Sequence, residues 1–366
     1  MKYIAQIFLG GWNNRNYSAE EIIDKLGSIP ANVPIDKVII GWNTDSSVYG
    51  KIGDYLHSKG IEMYLWLPVF SEIGELRKAR MAEDLWNKPL ASLSFQEGEN
   101  FSFYCPSSKE NIDNVISVYE EFFSKVDFDG IFLDKIRTSS FTAGTGGVLS
   151  CGCSECAKYY RANDLDLEAL KEVYSKLGAG FWDINEYVPG RDFSFKSNVL
   201  AKFFRLKGNL IAESVNSLCR YFKNKNKKVG LDLYFPLLSQ YVGQNYELLS
   251  GEVDFIKPMM YRRTEAPAGI GYEYDLLRSN LDSAKSYPDI KFDKAFLAGE
   301  LARIRHLKCA KYPGIEVNYR EDVARTNPEY IKESLLTVKE SGLDGAVLCW
   351  DIMLAPDEHI NAAGDI

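Results

Sequence analysis

The chain has 366 residues, 46% of them hydrophobic and 26% charged, with a formal net charge of −8. That acidity argues against nucleic acid or an anionic membrane as the main partner, since both reward a basic surface. Three histidines supply a His-based metal site or a Ser-His-Asp triad poorly, while 22 Tyr, 20 Phe and 6 Trp offer platforms for apolar C–H surfaces such as those of sugars.

The N-terminus has one Lys and a short apolar run interrupted by Gln6. It reads as a first strand at 4–10 rather than a signal peptide. No stretch approaches 18 consecutive apolar residues, so no membrane-spanning helix is expected; with no signal peptide and no disulfide framework among the seven cysteines, a cytoplasmic location is expected. A helix at 19–26 follows the cap-like Ser18. Strand two is read at 37–42, a helix at 50–59 and strand three at 61–69. An amphipathic helix at 109–125 leads into strand four at 130–134. A long helical stretch at 195–224 precedes strand five at 229–234, and strand six is read at 254–261. Strand seven is placed at 312–318 rather than 295–301, where Ala, Leu, Glu and Arg read as helix. A helix at 328–341 starts after Asn327, and strand eight is read at 345–350.

Eight strand–helix alternations predict an α/β fold, a (β/α)8 TIM barrel with long insertions after strands four and six. A doubly wound open sheet is the runner-up. Residues 1–366 are expected to form a single barrel domain with a loop insertion around 138–192, which holds the cysteine run Cys151, Cys153 and Cys156 and is expected to bind zinc. The Gly144–Gly147 segment lacks the Lys-Ser/Thr of a phosphate loop and reads as a flexible loop. Tyr159, Tyr160, Phe181 and Trp182 read as core or loop packing, with a homo-oligomer contact as the alternative.

Seven cysteines, three of them within six residues, do not resemble a disulfide framework. Cys151, Cys153 and Cys156 form a C-x-C-x-x-C run that can hold one tetrahedral ion from a single loop. Cys105, between strand three and its helix, is the best fourth ligand. Soft thiolates select zinc, and four protein ligands make the site structural. Free or redox-active thiols are the alternative. Cys219, Cys309 and Cys349 read as small core residues.

A Cys-Pro before a helix, a strand ending in an acid and then C-x-C-x-x-C resembles the family-42 β-galactosidases. That resemblance implies zinc bound by Cys105, Cys151, Cys153 and Cys156 beside an active site. The segments YCPSSKENI, DFDGIFLDKIR, CGCSEC, FIKPMMYRR, YPGIEV and GAVLCWD also resemble a group of glycoside-hydrolase-like barrels of uncertain substrate. Catalytic groups of such barrels sit at the C-terminal strand ends. Asp134 ends strand four and faces the mouth if Gly130 and Phe132 point inward. Glu316 lies among apolar neighbours in strand seven, where an unpaired carboxylate is costly. Glu300 takes its place if strand seven begins earlier. The resemblance implies that Asp134 is the acid/base and Glu316 the nucleophile of a two-carboxylate hydrolysis. The amylase-type barrels, with an Asp nucleophile at strand four, leave the exchanged roles open. Leu133-Asp134 departs from the Asn-Glu of family 42.

Other strand-end groups suit a carbohydrate pocket: Trp12, Trp42, Trp66, Asp232, Tyr234, Tyr261, Trp350 and Asp351. Arg137 and Lys257 suit an acidic sugar or tune the carboxylates. The sequence therefore points to a glycoside hydrolase with a carbohydrate substrate. A carbohydrate-binding barrel without catalysis is the second possibility, and a redox or metal-sensing thiol protein the third.

Overall fold

The computed structural model describes residues 1–90, 94–96, 99–281 and 286–366. Part of the long segment expected after strand six, residues 282–285, lies outside the described residues. Parallel strands form the centre: β1 (Lys2–Phe8), β2 (Ile35–Gly41), β3 (Glu62–Pro68), β4 (Gly130–Asp134), β5 (Lys228–Leu233), β6 (Phe255–Pro258), β7 (Ala310–Lys311 then Gly314–Glu316) and β8 (Gly345–Cys349). Each pairs with the next in chain order, and β8 pairs back onto β1 with Val347 opposite Ile4. A parallel bridge between Met259 and Gly314 joins the end of β6 to the second half of β7 and closes the circle. The fold is the expected (β/α)8 barrel.

The strands read as near-continuous apolar runs because both of their faces are buried. Helices on the outside start where the sequence supplies caps. Ser18 and Glu21 form a capping box for the helix Ala19–Ser28. Asp45 accepts the Ser47 N–H and starts the next helix at Ser46, four residues earlier than expected. Asn327 caps Pro328–Glu340, with proline at its first position.

β6 is regular to Pro258 rather than 261, with Met259 and Met260 still donating to the Leu233 and Gly314 carbonyls, and β7 is split at Pro313, which has no N–H to give the ladder. The segment 295–301 lies in the helix Lys294–Ile304. Residues 144–147, expected as a flexible loop, lie in the short helix Gly144–Val148.

Long segments follow β4 and β6, as expected, and a third spans residues 69–108 after β3. Tyr160, Phe181 and Trp182 are buried within the chain. Trp182 stacks on Phe204 at 5.7 Å, so these rings build the core of the β4 insertion. Cys219, Cys309 and Cys349 are buried. Among the described residues no helix is long and apolar enough to cross a membrane.

Inside the barrel, inward glycines make room for large neighbours. A Cβ on Gly230 would lie 2.3 Å from the Phe255 ring, and one on Gly314 would lie 2.7 Å from Lys257 Cε. Phe132 stacks on Phe255 at 5.9 Å. Above this layer the side chains turn polar.

Candidate active site at the barrel mouth

A cavity of about 120 Å3 opens at the C-terminal ends of the strands. Period-two alternation places its floor. Gly130, Phe132 and Asp134 share the inner face of β4, so the last of them reaches the mouth. Leu133 on β4 pairs with Leu231 on β5, which sets Asp134 and Asp232 level on neighbouring strands. Lys257 on β6 is in register with Asp232. Three charged groups thus stand side by side across three adjacent strands.

Each is held differently. Asp134 Oδ2 accepts the Trp66 indole N–H at 2.8 Å, and Oδ1 accepts the Lys135 backbone N–H. Lys257 Nζ donates to Asp232 Oδ2 at 2.8 Å, and both side chains are almost wholly buried. Burial pushes the Asp232 carboxyl up to about 7, against the pull of Lys257. Burial pulls the Lys257 ammonium down, but Asp232 outweighs it and leaves that group above its ordinary range. Asp232 Oδ1 has no hydrogen-bond partner among the described residues.

The walls are aromatic. Trp42 and Trp66 meet edge to face at 5.6 Å, Phe8 packs against both, and Trp350 lies 6.2 Å from Tyr261 across the mouth. Lys135 Nζ sits 4.8 Å from the Trp42 ring and pairs with buried Glu72 at 2.5 Å. The Arg137 guanidinium is sandwiched between Phe103 and Tyr234 at 4.6 and 4.8 Å. Gln6, Trp42 Nε1 and Thr264 Oγ1 join Asp232 Oδ1 as buried polar atoms without a described partner.

Trp42, Trp66, Asp134, Arg137, Asp232, Lys257, Tyr261 and Trp350 therefore line one cavity. Trp12, Tyr234 and Asp351 stand behind it. Trp12 donates to the Glu72 carbonyl, Tyr234 lies under Arg137, and Asp351 accepts the Met353 N–H and the Tyr17 hydroxyl. Glu316 is fully buried and is not among the lining residues. Its Oε1 accepts the Arg263 N–H at 2.6 Å and its Oε2 the Tyr330 hydroxyl at 2.8 Å. Burial pushes its carboxyl above the usual range. Glu300 sits on a helix, where it accepts the Leu237 N–H and pairs with Arg303.

Sequence reasoning missed Gln6, Glu72, Lys135 and Thr264. A signal existed for the first, a lone amide inside an apolar strand. The loop of 264–268 is set by Glu273, which accepts from Ser140 Oγ, Tyr241 Oη and the Ala268 N–H. One buried carboxylate so ties together the segments after β4, β5 and β6.

Beside the mouth, the sulfurs of Cys105, Cys151, Cys153 and Cys156 all lie within 4.8 Å of one another and are buried. Cys105 Sγ is 3.4 Å from Cys153 Sγ and 3.6 Å from Cys156 Sγ. Four sulfurs about 2.3 Å from a tetrahedral ion are separated by roughly 3.8 Å, so the tetrad can hold a metal. Lys207, fully buried nearby, donates to the carbonyls of Val148 and Tyr241 and pins the insertion to the barrel.

No protein-family model matches the chain, and no curated protein matches it in sequence. Solved structures share its fold. The PgaB (BpsB) glycoside hydrolase domain from Bordetella bronchiseptica aligns over 98% of this chain and 97% of its own, with a TM-score of 0.65 and 11% identity. The α-L-fucosidase isoenzyme 2 from Paenibacillus thiaminolyticus covers 100% of this chain and 48% of its own, with a TM-score of 0.56 and 14% identity. A class V chitinase from Pseudomonas fluorescens Pf-5 gives 99%, 98%, 0.51 and 10% in the same order. The chain thus has the barrel architecture found in these glycoside hydrolases. Identities this low speak for fold alone.

Proposed function

We propose that the chain is a glycoside hydrolase that cleaves a glycosidic bond in an oligosaccharide or glycoside held in the barrel mouth, with Asp134 at the reacting carbon. The observation that carries this is the set of buried, unpartnered polar atoms on Gln6, Trp42, Asp232 and Thr264 inside an aromatic-walled cavity. Each such group costs about 1–3 kcal/mol while unsatisfied. A ligand dense in hydroxyls with apolar C–H faces relieves that cost and stacks on Trp42, Trp66 and Trp350. The cations are already engaged: Lys135 and Lys257 donate to Glu72 and Asp232, and Arg137 lies between two rings. The barrel neighbours named as glycoside hydrolases support the same class.

Glu316 belongs, on this proposal, to the wall behind the site, where its two oxygens hold the turn at Arg263 and the helix at Tyr330. The cysteine tetrad carries the likeness to family 42 and is assigned to structural zinc. Cys105, Cys151, Cys153 and Cys156 would be the ligands, leaving no open position for catalysis. Reduced thiols of this kind suit a reducing compartment.

The test is calorimetric binding and reducing-end release by the wild-type protein on a panel of oligosaccharides and nitrophenyl glycosides. Binding with turnover is expected, and Trp350→Ala should weaken binding. Binding without turnover would instead support the carbohydrate-binding barrel, and neither would overturn both.

A further inference from the structure

We propose that Asp232, not Glu316, is the second carboxyl group of the reaction, giving and retrieving the proton while Asp134 attacks the anomeric carbon. The inference rests on the hydrolase assignment above and goes further by naming the pair.

Position comes first. Asp134 and Asp232 stand level on neighbouring strands and line one cavity. Neighbouring strands lie about 4.8 Å apart. Two acids placed so can bring their carboxyl groups to the roughly 5–5.5 Å at which retaining glycosidases hold theirs. Glu316 has neither a place in the lining nor an oxygen free of a structural bond.

The two acids also differ in the way their tasks require. Asp134 is aimed by two N–H donors, from Trp66 and from the Lys135 backbone, and meets no ammonium group in a salt bridge among the described residues. That suits an oriented nucleophile. Asp232 offers an unpartnered Oδ1 while Lys257 holds Oδ2. Burial, helped by the neighbouring Asp134 charge and opposed by Lys257 and Arg137, keeps a proton on this carboxyl up to about pH 7. When the proton leaves, Lys257 is already 2.8 Å away to stabilise the carboxylate formed.

The chemistry balances. Asp232 Oδ1–H protonates the glycosidic oxygen as the C1–O bond breaks and an Asp134 oxygen bonds to C1. Asp232, now ionised, takes a proton from water. The water oxygen bonds to C1, the ester to Asp134 breaks, and both acids return to their starting states. No oxidant, metal or cofactor is consumed.

Asp232→Asn and Asp134→Asn are compared on an oligosaccharide turned over by the wild type and on the dinitrophenyl glycoside of the same sugar. Asp134→Asn should lose about a hundredfold or more on both. Asp232→Asn should lose about a hundredfold on the oligosaccharide yet form the glycosyl-enzyme from the dinitrophenyl glycoside at a rate within tenfold of wild type, since that leaving group needs no proton. Azide, a nucleophile that needs no base, should restore its turnover. The wild-type rate should fall as pH rises through about 7, where Asp232 loses its proton, and this limb should vanish in the variant. Should Asp232→Asn misfold with Lys257 unpaired, the double variant Asp232→Asn, Lys257→Met takes its place. Wild-type oligosaccharide turnover in an Asp232 variant, with Asp134→Asn inactive, overturns this assignment and leaves the hydrolase standing. Full activity of Asp134→Asn overturns the hydrolase assignment at that residue.

Discussion

Burial pushes three carboxyl groups up to about 7: Asp232 and Asp351 at strand ends and Glu300 on its helix. In the unfolded chain such groups titrate near 4. Between about pH 4 and pH 7 the folded state therefore binds more protons, and these groups make it less stable as pH rises through that window. Asp351→Asn keeps an oxygen to accept the Met353 N–H, places an amide N–H where the Tyr17 hydroxyl now donates, so that this hydroxyl must accept instead, and removes the charge. One pKa unit is worth about 1.4 kcal/mol. The variant should thus lose at least about 1 kcal/mol less than wild type between about pH 5 and about pH 8 in urea unfolding; parallel curves would refute the shift. At this scale much was legible. Alternation along each strand places Asp134, Asp232 and Lys257 inward without reference to any partner. Glu316 shows the limit. A carboxylate in an apolar strand signals either a task or a partner, and its partners, Arg263 and Tyr330, come from elements whose approach no local pattern encodes.

Elements were legible where hydrogen-bonding chemistry is local. Ser18 and Asn327 mark helix starts, and β4 has the boundaries its alternation predicts. The readings at 254–261 and 312–318 run past the ends of β6 and β7 because apolar composition continues beyond the last regularly paired residue. The second half of β7 also carries a packing constraint visible only in three dimensions. A Cβ on Gly314 would meet Lys257 Cε at 2.7 Å and Cys349 Sγ at 2.9 Å. Gly314→Ala must then shift the lysine that holds Asp232. A stability loss of about 1–3 kcal/mol is expected, with a drop in turnover larger than any change in substrate binding. A variant with wild-type kinetics would show that Lys257 does not position its partner.

The whole barrel follows from eight alternations of strand and helix, a pattern that survives errors at every boundary. What escaped was the long segment after β3. Residues 69–108 show no sustained period, yet they carry Glu72, Phe101 and Cys105 to the mouth and the cysteine tetrad. Four sulfurs drawn from the segments after β3 and β4 should couple metal to global stability. Removing metal with a chelator and a thiol reagent should lower the melting temperature by more than about 5 °C, on a scale where 1 kcal/mol moves it by roughly 2–4 °C. Protein with no bound zinc and an unchanged melting temperature would refute a structural metal. If glycosidic bonds are broken at the mouth by Asp134, the decisive measurement is the rate of reducing-end release in Asp134→Asn relative to wild type on the best substrate of the panel. A fall of about a hundredfold or more is predicted, with oligosaccharide affinity retained; an undiminished rate would contradict it.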